Sequence, residues 1–268
     1  MRLRICTWNV NSVRLRAEHT ARFVAEQAPD VLCLQEIKCR EGEFPRDAFV
    51  QMGLPHLKIA GQKGWHGVAI ASRLPLEDAA PLDVCREGHA RCMGATVAGV
   101  EIHNFYIPAG GDIPDRALNA KFDHKLDFYE KLTAELSRRD PKAPLAIVGD
   151  LNVAPGEADV WNHRYMSKVV SHTPVEIEAM DALHKSLGFI DLTREAFPDP
   201  QKLASWWSYR AQDFRQSNRG LRLDHILVTP GLRDAAFRLG SVAARIHDDV
   251  RGWERPSDHA PVSADLVL

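Results

Sequence analysis

Val68-Ala69-Ile70-Ala71, Ala95-Thr96-Val97 and Val100-Glu101-Ile102-His103-Asn104-Phe105-Tyr106 follow one another as short apolar runs with no helical periodicity between them. A parallel pair of strands needs a crossover of a dozen or more residues, usually helical. Successive strands without one argue against an all-parallel doubly wound sheet and leave mixed sheets with flanking helices. Outward from this segment, further runs of buried-strand length occupy 3–8, 31–35, 145–148, 223–228 and 261–267. The clearest helix spans 117–137, where Leu118, Phe122, Leu126, Tyr129, Leu132 and Leu136 step by three or four and form one apolar stripe. A second starts after Thr173, since Thr173-Pro174-Val175-Glu176 combines capping-box spacing with proline at the first helical position. Met180, Leu183 and Leu187 give it an apolar face, and Gly188 suits its end. A third runs over 15–27, before Pro29. Residues 156–172 and 198–220 show neither period and read as long surface loops, which in compact domains are often functional.

No low-complexity linker or fixed repeat divides the 268 residues, so 1–268 reads as one domain. With 45% hydrophobic and 26% charged residues, the composition excludes collagen-like, coiled-coil and disordered classes. Lysine plus arginine number 34 against 36 acidic residues, a net charge of −2, so any polyanion must be held by a local site. The five cysteines are an odd count without C-x-x-C spacing, which points away from a disulfide framework or a cysteine zinc site. The start of the chain lacks the apolar run of a signal peptide, and no stretch is long enough to span a bilayer. A reducing, cytoplasmic setting without membrane contact is the expectation. No coiled-coil or symmetric-interface signal is evident, so a monomer is expected.

Chemistry collects at the ends of the strand candidates. Asn9 and Asn11 follow the first, Glu36 follows 31–35, Asp150 and Asn152 follow 145–148, and Asp258-His259 precede the last. Each alone reads most simply as a turn former. Their recurrence at strand ends is how a scaffold gathers oxygen ligands for a hard cation such as Mg²⁺ on one rim. If the strand continues past Gly149, Asp150 and Asn152 point to the same side.

Five motifs make these residues specific: Thr7-Trp8-Asn9-Val10-Asn11-Ser12-Val13-Arg14, Leu34-Gln35-Glu36-Ile37-Lys38, Gly149-Asp150-Leu151-Asn152-Val153-Ala154-Pro155, Asn218-Arg219-Gly220-Leu221-Arg222-Leu223-Asp224 and Ser257-Asp258-His259-Ala260-Pro261-Val262. In order and spacing, over nearly the whole chain, they closely resemble the exonuclease III family of apurinic/apyrimidinic (AP) endonucleases. The resemblance implies a four-layer α/β sandwich, two packed mixed β-sheets with helices outside. It also implies a Mg²⁺-dependent DNA repair nuclease, with Mn²⁺ as substitute. Such an enzyme cuts duplex DNA 5′ to abasic sites and works on recessed or blocked 3′ ends as a 3′-to-5′ exonuclease.

The same resemblance assigns roles. Glu36 would be the principal metal ligand, with Asn9 and Asp258 near the ion, Asn11 around them, and Asp150, Asn152 and His259 also within the metal's reach. Asp150 would take the proton from the attacking water, Asn152 would position that water and contact the phosphate, and Tyr106 would hydrogen-bond the phosphate. His259, oriented by Asp224, would stabilise charge on the phosphoryl oxygens. An isolated aspartate titrating near 3.9 is a weak base at neutral pH, so this role requires neighbours that raise its basicity or a water already polarised.

The segment 198–222 sets Lys202, Arg210, Arg215, Arg219 and Arg222 against Asp199 and Asp213, a charge of +3, and interleaves Trp206, Trp207, Tyr209 and Phe214. Basic groups reach phosphates while aromatic faces pack on bases or sugar. Core packing competes for the tryptophans, and at least one of Trp206 and Trp207 is expected to face inward. By resemblance, Trp206 and Leu221 shape a pocket for a base-free sugar, with Arg210, Arg219 and Arg222 on the DNA. One departure is visible: after Tyr106-Ile107-Pro108 the family often has asparagine or glutamine, and this chain has Ala109. The competing readings are a related phosphodiesterase or phosphatase with another substrate, and a non-catalytic DNA-binding protein of the same fold.

Overall fold

In the strand Arg2–Asn9 (β1), Leu3 and Ile5 join one buried apolar cluster while Cys6 and Trp8 join another. A strand apolar on both faces needs a layer on each side of its sheet, and that requirement organises the molecule. The computed structural model describes residues 1–210 and 213–268. Ala211 and Gln212, inside the expected loop 198–220, lie outside the described residues.

Among the described residues the further strands are Val31–Gln35 (β2), His56–Ala60 (β3), Val68–Ser72 (β4), Glu77–Asp78 (β5), Cys92–Val97 (β6), Val100–Tyr106 (β7), Leu145–Asp150 (β8), Ile190–Asp191 (β9), Asp224–Val228 (β10), Ala244–Ile246 (β11) and Val262–Val267 (β12). They form two six-stranded sheets, ordered β11-β12-β1-β2-β4-β3 and β5-β6-β7-β8-β10-β9. Both are mixed: β1 with β2 and β7 with β8 run parallel, and the other pairs are antiparallel. Between them lies one cluster, in which Ile5, Val31, Cys33 and Ile70 face Ile102, Ala146, Val148 and Ile226.

The outer face of the first sheet is covered by Ala17–Gln27 (α1) and Arg46–Gln51 (α2) through Phe23, Val24 and Phe49. The outer face of the second is covered through Phe128, Tyr129, Leu132 and Leu136 of the helix Ala120–Leu136, and through Met180 and Leu183 of the helix Pro174–Leu187. The four-layer sandwich expected from the sequence is present. The helix starting after Thr173 has its capping box, proline at its first turn and Gly188 left-handed at its end. The first of these two helices starts three residues later than 117, because the Asn119 side chain accepts from the Lys121 amide and caps it. Leu118, assigned to the apolar stripe from sequence, therefore lies before the helix and is 75% exposed.

Two features position the site. Parallel β1 and β2 end on the same rim as parallel β7 and β8, and the antiparallel β10 and β12 begin there. Beneath that rim, Gln35 donates from Nε2 to Thr7 Oγ1 (2.9 Å) and to Asn104 Oδ1 (2.6 Å), while Asn104 Nδ2 donates to the carbonyls of Leu34 and Ala69. All three side chains are fully buried, and this network fastens the two sheets, with Gln35 Oε1 left buried without a partner. No helix among the described residues is long and apolar enough to cross a membrane.

Candidate active site

The registers set the central residues side by side: Asp150, last in β8, is paired with Tyr106 on β7 and with Asp224 on β10. Glu36 follows β2 directly, beside Asn9 at the end of β1. Past the strand ends the backbone turns sharply. Asn11, Glu36, Lys38 and Asn152 have φ of +47°, +50°, +52° and +56°, a region that disfavours side chains by ~1–2 kcal/mol each. The strand therefore does not continue through Asn152, and strand alternation is not what brings Asn152 beside Asp150. The turn does so instead: the Asn152 amide donates to Asp150 Oδ1 (3.1 Å), and its Nδ2 donates to the Ile107 carbonyl (2.9 Å).

Asn9 links the two sheets, donating from Nδ2 to Glu36 Oε1 (3.0 Å) and Asp150 Oδ2 (2.9 Å). Tyr106 donates its hydroxyl to the same Glu36 Oε1 (2.9 Å), and Lys38 Nζ lies 2.8 Å from Oε2. Asp258 accepts from Asn11 Nδ2 (2.9 Å) and Trp206 Nε1 (3.0 Å). His259 is fixed from both sides, with Nδ1 2.9 Å from Asp224 Oδ2 and Nε2 3.6 Å from Asp150 Oδ2. Ser205 Oγ holds Asp224 Oδ2 at 2.6 Å, while Asp224 Oδ1 is buried without a partner. The segment carrying Asp258 and His259 is tied to β1, since Ser257 Oγ donates to the Asn9 carbonyl and Trp8 Nε1 to the His259 carbonyl.

Burial raises the Asp150 carboxyl to about 7, with Asp224 and Glu36 adding to the rise and His259 opposing it. Burial works against charge on His259, but the carboxylates of Asp224 and Asp150 outweigh it and lift the imidazole to about 10. Asp150 and His259 each shift the other, so these two titrate together. Asp258 resists burial through His259 and its two donors and is held below the ordinary carboxylate range. Asp150, Asp224 and His259 offer ligand atoms within 4.8 Å of one another, a group able to hold a metal ion. On the rim, Glu36, Asp258 and Asn9 add an oxygen-rich donor set that suits a hard cation, with Lys38 neutralising Glu36.

These residues floor a cleft of about 640 Å³ whose walls include Trp206, Arg210, Arg219 and Leu221. Trp206 is stitched in place by paired backbone hydrogen bonds to Leu221, and the Trp207 amide donates to the Asp258 carbonyl. Trp207 faces inward against Phe214, as expected for one of the pair. Arg222 is a correction to the sequence reading: its guanidinium is buried between Asp159 and Asp191 and cannot reach DNA. Leu221, Arg222 and Leu223 are all buried at the approach to β10, and the two acids stabilise the charge of Arg222 there. Ala109 is exposed beside the cleft, where its carbonyl accepts from Lys125 Nζ. The sequence reading missed Lys38, although the residue stood in a quoted motif. It also missed Ser205 behind Asp224 and Arg91, whose guanidinium lies 4.7 Å over the Tyr106 ring. Arg91 has no periodic or motif signal.

The profile of the Endonuclease/Exonuclease/phosphatase family matches residues 6–259. Over 98% of its length the chain is 31% identical to exodeoxyribonuclease III of Haemophilus influenzae, all of which is covered. An AP endonuclease structure from Archaeoglobus fulgidus superposes with a TM-score of 0.90 at 32% identity, covering 99% of this chain and all of that one. A 3′-5′ exonuclease structure from Neisseria meningitidis does so with a TM-score of 0.89 at 34% identity and the same coverage. Matched over nearly its whole length in sequence and in fold, the chain belongs to the endonuclease/exonuclease/phosphatase family, in its exonuclease III/AP endonuclease branch.

Proposed function

We propose that this chain is a Mg²⁺-dependent DNA repair nuclease that hydrolyses the phosphodiester bond 5′ to an abasic site in duplex DNA and also trims or cleans 3′ ends. The observation that carries the reading is the meeting of Asp150, His259 and Glu36 beneath a cleft walled by Trp206 and Leu221. Glu36, with Asp258 and Asn9, would hold the cation, and Mn²⁺ would substitute for it. When bound, the ion supplies positive charge opposite the phosphoryl oxygens and the leaving alkoxide.

The protein's own groups divide the remaining work. Asp150 accepts the proton of the water that attacks phosphorus in line. Its raised basicity meets the requirement that a catalytic base titrate near the working pH. Charged His259, aimed by Asp224, presents Nε2–H to a phosphoryl oxygen as charge accumulates there. The Tyr106 hydroxyl, held beside Glu36, and Asn152 fix the phosphate and the water. Trp206 and Leu221 face the extruded sugar, and exclusion of an intact base makes the lesion the preferred substrate. Arg210 and Arg219 contact the backbone of the DNA.

The reading is tested with a labelled duplex bearing one internal abasic-site analogue beside an undamaged blunt duplex, with Mg²⁺ and with chelator. One metal-dependent cut 5′ to the lesion is expected. Digestion from 3′ ends alone would keep the chemistry and move the role to end processing, the activity named for the Neisseria relative. Turnover of neither duplex, with turnover of a phosphoinositide or phospholipid, would overturn the DNA assignment. Trp206→Ala should lower abasic-site cleavage at least ~10-fold while leaving affinity for undamaged duplex unchanged; equal loss of both would make Trp206 a packing residue.

A further inference from the structure

Away from the hydrolytic groups, three segments bring imidazoles, a carboxylate and a thiol together. The connection between β5 and β6 carries Cys85, Glu87 and His89, the helix Ala120–Leu136 carries His124, and the turn before β4 carries His66. Glu87 reaches two rings at once: Oε2 lies 3.3 Å from His89 Nδ1 and Oε1 lies 3.3 Å from His124 Nδ1. The other nitrogen of His124, Nε2, lies 3.5 Å from Cys85 Sγ. His66 stacks on His89 with centroids 4.4 Å apart, and the Nδ1 atoms of both rings are buried without a hydrogen-bond partner. Orphaned buried polar atoms cost on the order of 1–3 kcal/mol each, and two in one small cluster ask for a ligand.

We propose that His89 Nδ1, His124 Nδ1 and the Glu87 carboxylate form a second metal site, taking a borderline cation such as Zn²⁺. Two imidazoles and one carboxylate are a zinc donor set, whereas Mg²⁺ prefers oxygen, so this site and the cleft select different ions. Cys85 accepts the Nε2–H of His124, the outer hydrogen bond that fixes a ligating histidine's tautomer. Among the described residues only Asp150, Asp224 and His259 already have ligand atoms within 4.8 Å of one another. Occupation of the second site therefore draws Glu87 and His89 inward, and Gly88 between them has φ of +63° and open space around it. The consequence reaches the cleft, because Arg91, two residues beyond His89, stacks on Tyr106 and donates to its carbonyl.

The test is titration of metal-free, full-length protein with ZnCl₂ in excess Mg²⁺, read by competition with a chromophoric chelator. Wild type is compared with Glu36→Gln, His89→Ala and His124→Gln, and near-ultraviolet circular dichroism verifies folding. One equivalent of Zn²⁺ is expected in wild type and in Glu36→Gln, with affinity reduced at least ~10-fold in both histidine variants. If His124→Gln fails to fold, the half-exposed His89 decides alone. Absence of stoichiometric binding, or binding that vanishes in Glu36→Gln and is unchanged in His89→Ala, would overturn the proposal.

Discussion

Asp150 and His259 face each other at 3.6 Å with Asp224 behind the imidazole, so each of the two titrates under the influence of the other and of Asp224. Asp224→Asn removes the nearer carboxylate, and the His259 imidazole should then titrate well below about 10; an NMR pH titration of the metal-free protein measures it. The sign carries over to stability. A histidine raised in the folded state contributes stability that is complete below its unfolded value of 6.5 and is lost as pH rises through about 10. The stability gap between wild type and Asp224→Asn should therefore be widest below pH 6.5 and narrow toward pH 10. An unchanged His259 titration would show that Asp224 does not govern the imidazole. Asp150, Glu36, Asp258 and His259 were legible in the sequence because each stands at a strand end inside a recognisable motif. Arg222 was misread because charge in a sequence does not tell which way the side chain faces. Its burial depends on Asp159 and Asp191, distant in the chain.

The element that brings Asp150 to the rim is β8, and its penultimate residue tolerates no side chain. A Cβ at Gly149 would lie 2.0 Å from the Phe105 carbonyl oxygen of β7, and φ there is +138°. Gly149→Ala should cost at least ~3 kcal/mol in chemical denaturation, with activity lost beyond what unfolding explains, since Asp150 must shift with the strand. Wild-type stability in this variant would contradict the close packing of β7 on β8. Apart from β6, whose first three residues were missed, the long strands were read within two residues of their ends, because short apolar runs bounded by turn residues have few other uses. The strands β3, β5, β9 and β11 were missed. They lie toward the sheet margins, are half-exposed or only two or three residues long, and owe their pairing to the neighbour rather than to their own pattern. Leu118 shows the converse: its spacing fits the stripe, but the cap at Asn119 decides where the helix begins.

Across the whole molecule, the sheets are held by apolar packing and by the Thr7–Gln35–Asn104 network, and buried histidines add a pH dependence. His247, packed against Phe23 and bonded through Nε2 to Ser263 Oγ, is lowered to about 4 by burial, with Arg245 and Arg4 adding and Asp249 opposing. A histidine kept neutral by the fold leaves stability intact above pH 6.5 and removes it as pH falls toward 4. Its share is up to about 3 kcal/mol. Urea unfolding should show this loss in wild type and a shallower one in His247→Gln; identical pH profiles would exclude His247 as its source. The layered architecture was not readable from periodicity alone, since no local pattern says that two mixed sheets share one core. It became readable through the order of the five motifs.

The account rests on Asp150 as the base at a DNA-cutting site, and single-turnover cleavage of an abasic duplex by Asp150→Asn, measured beside its DNA affinity, tests that most directly. The prediction is a fall in the cleavage rate of at least ~10³-fold with affinity unchanged within about threefold. Cleavage at a rate near that of the wild type would contradict it.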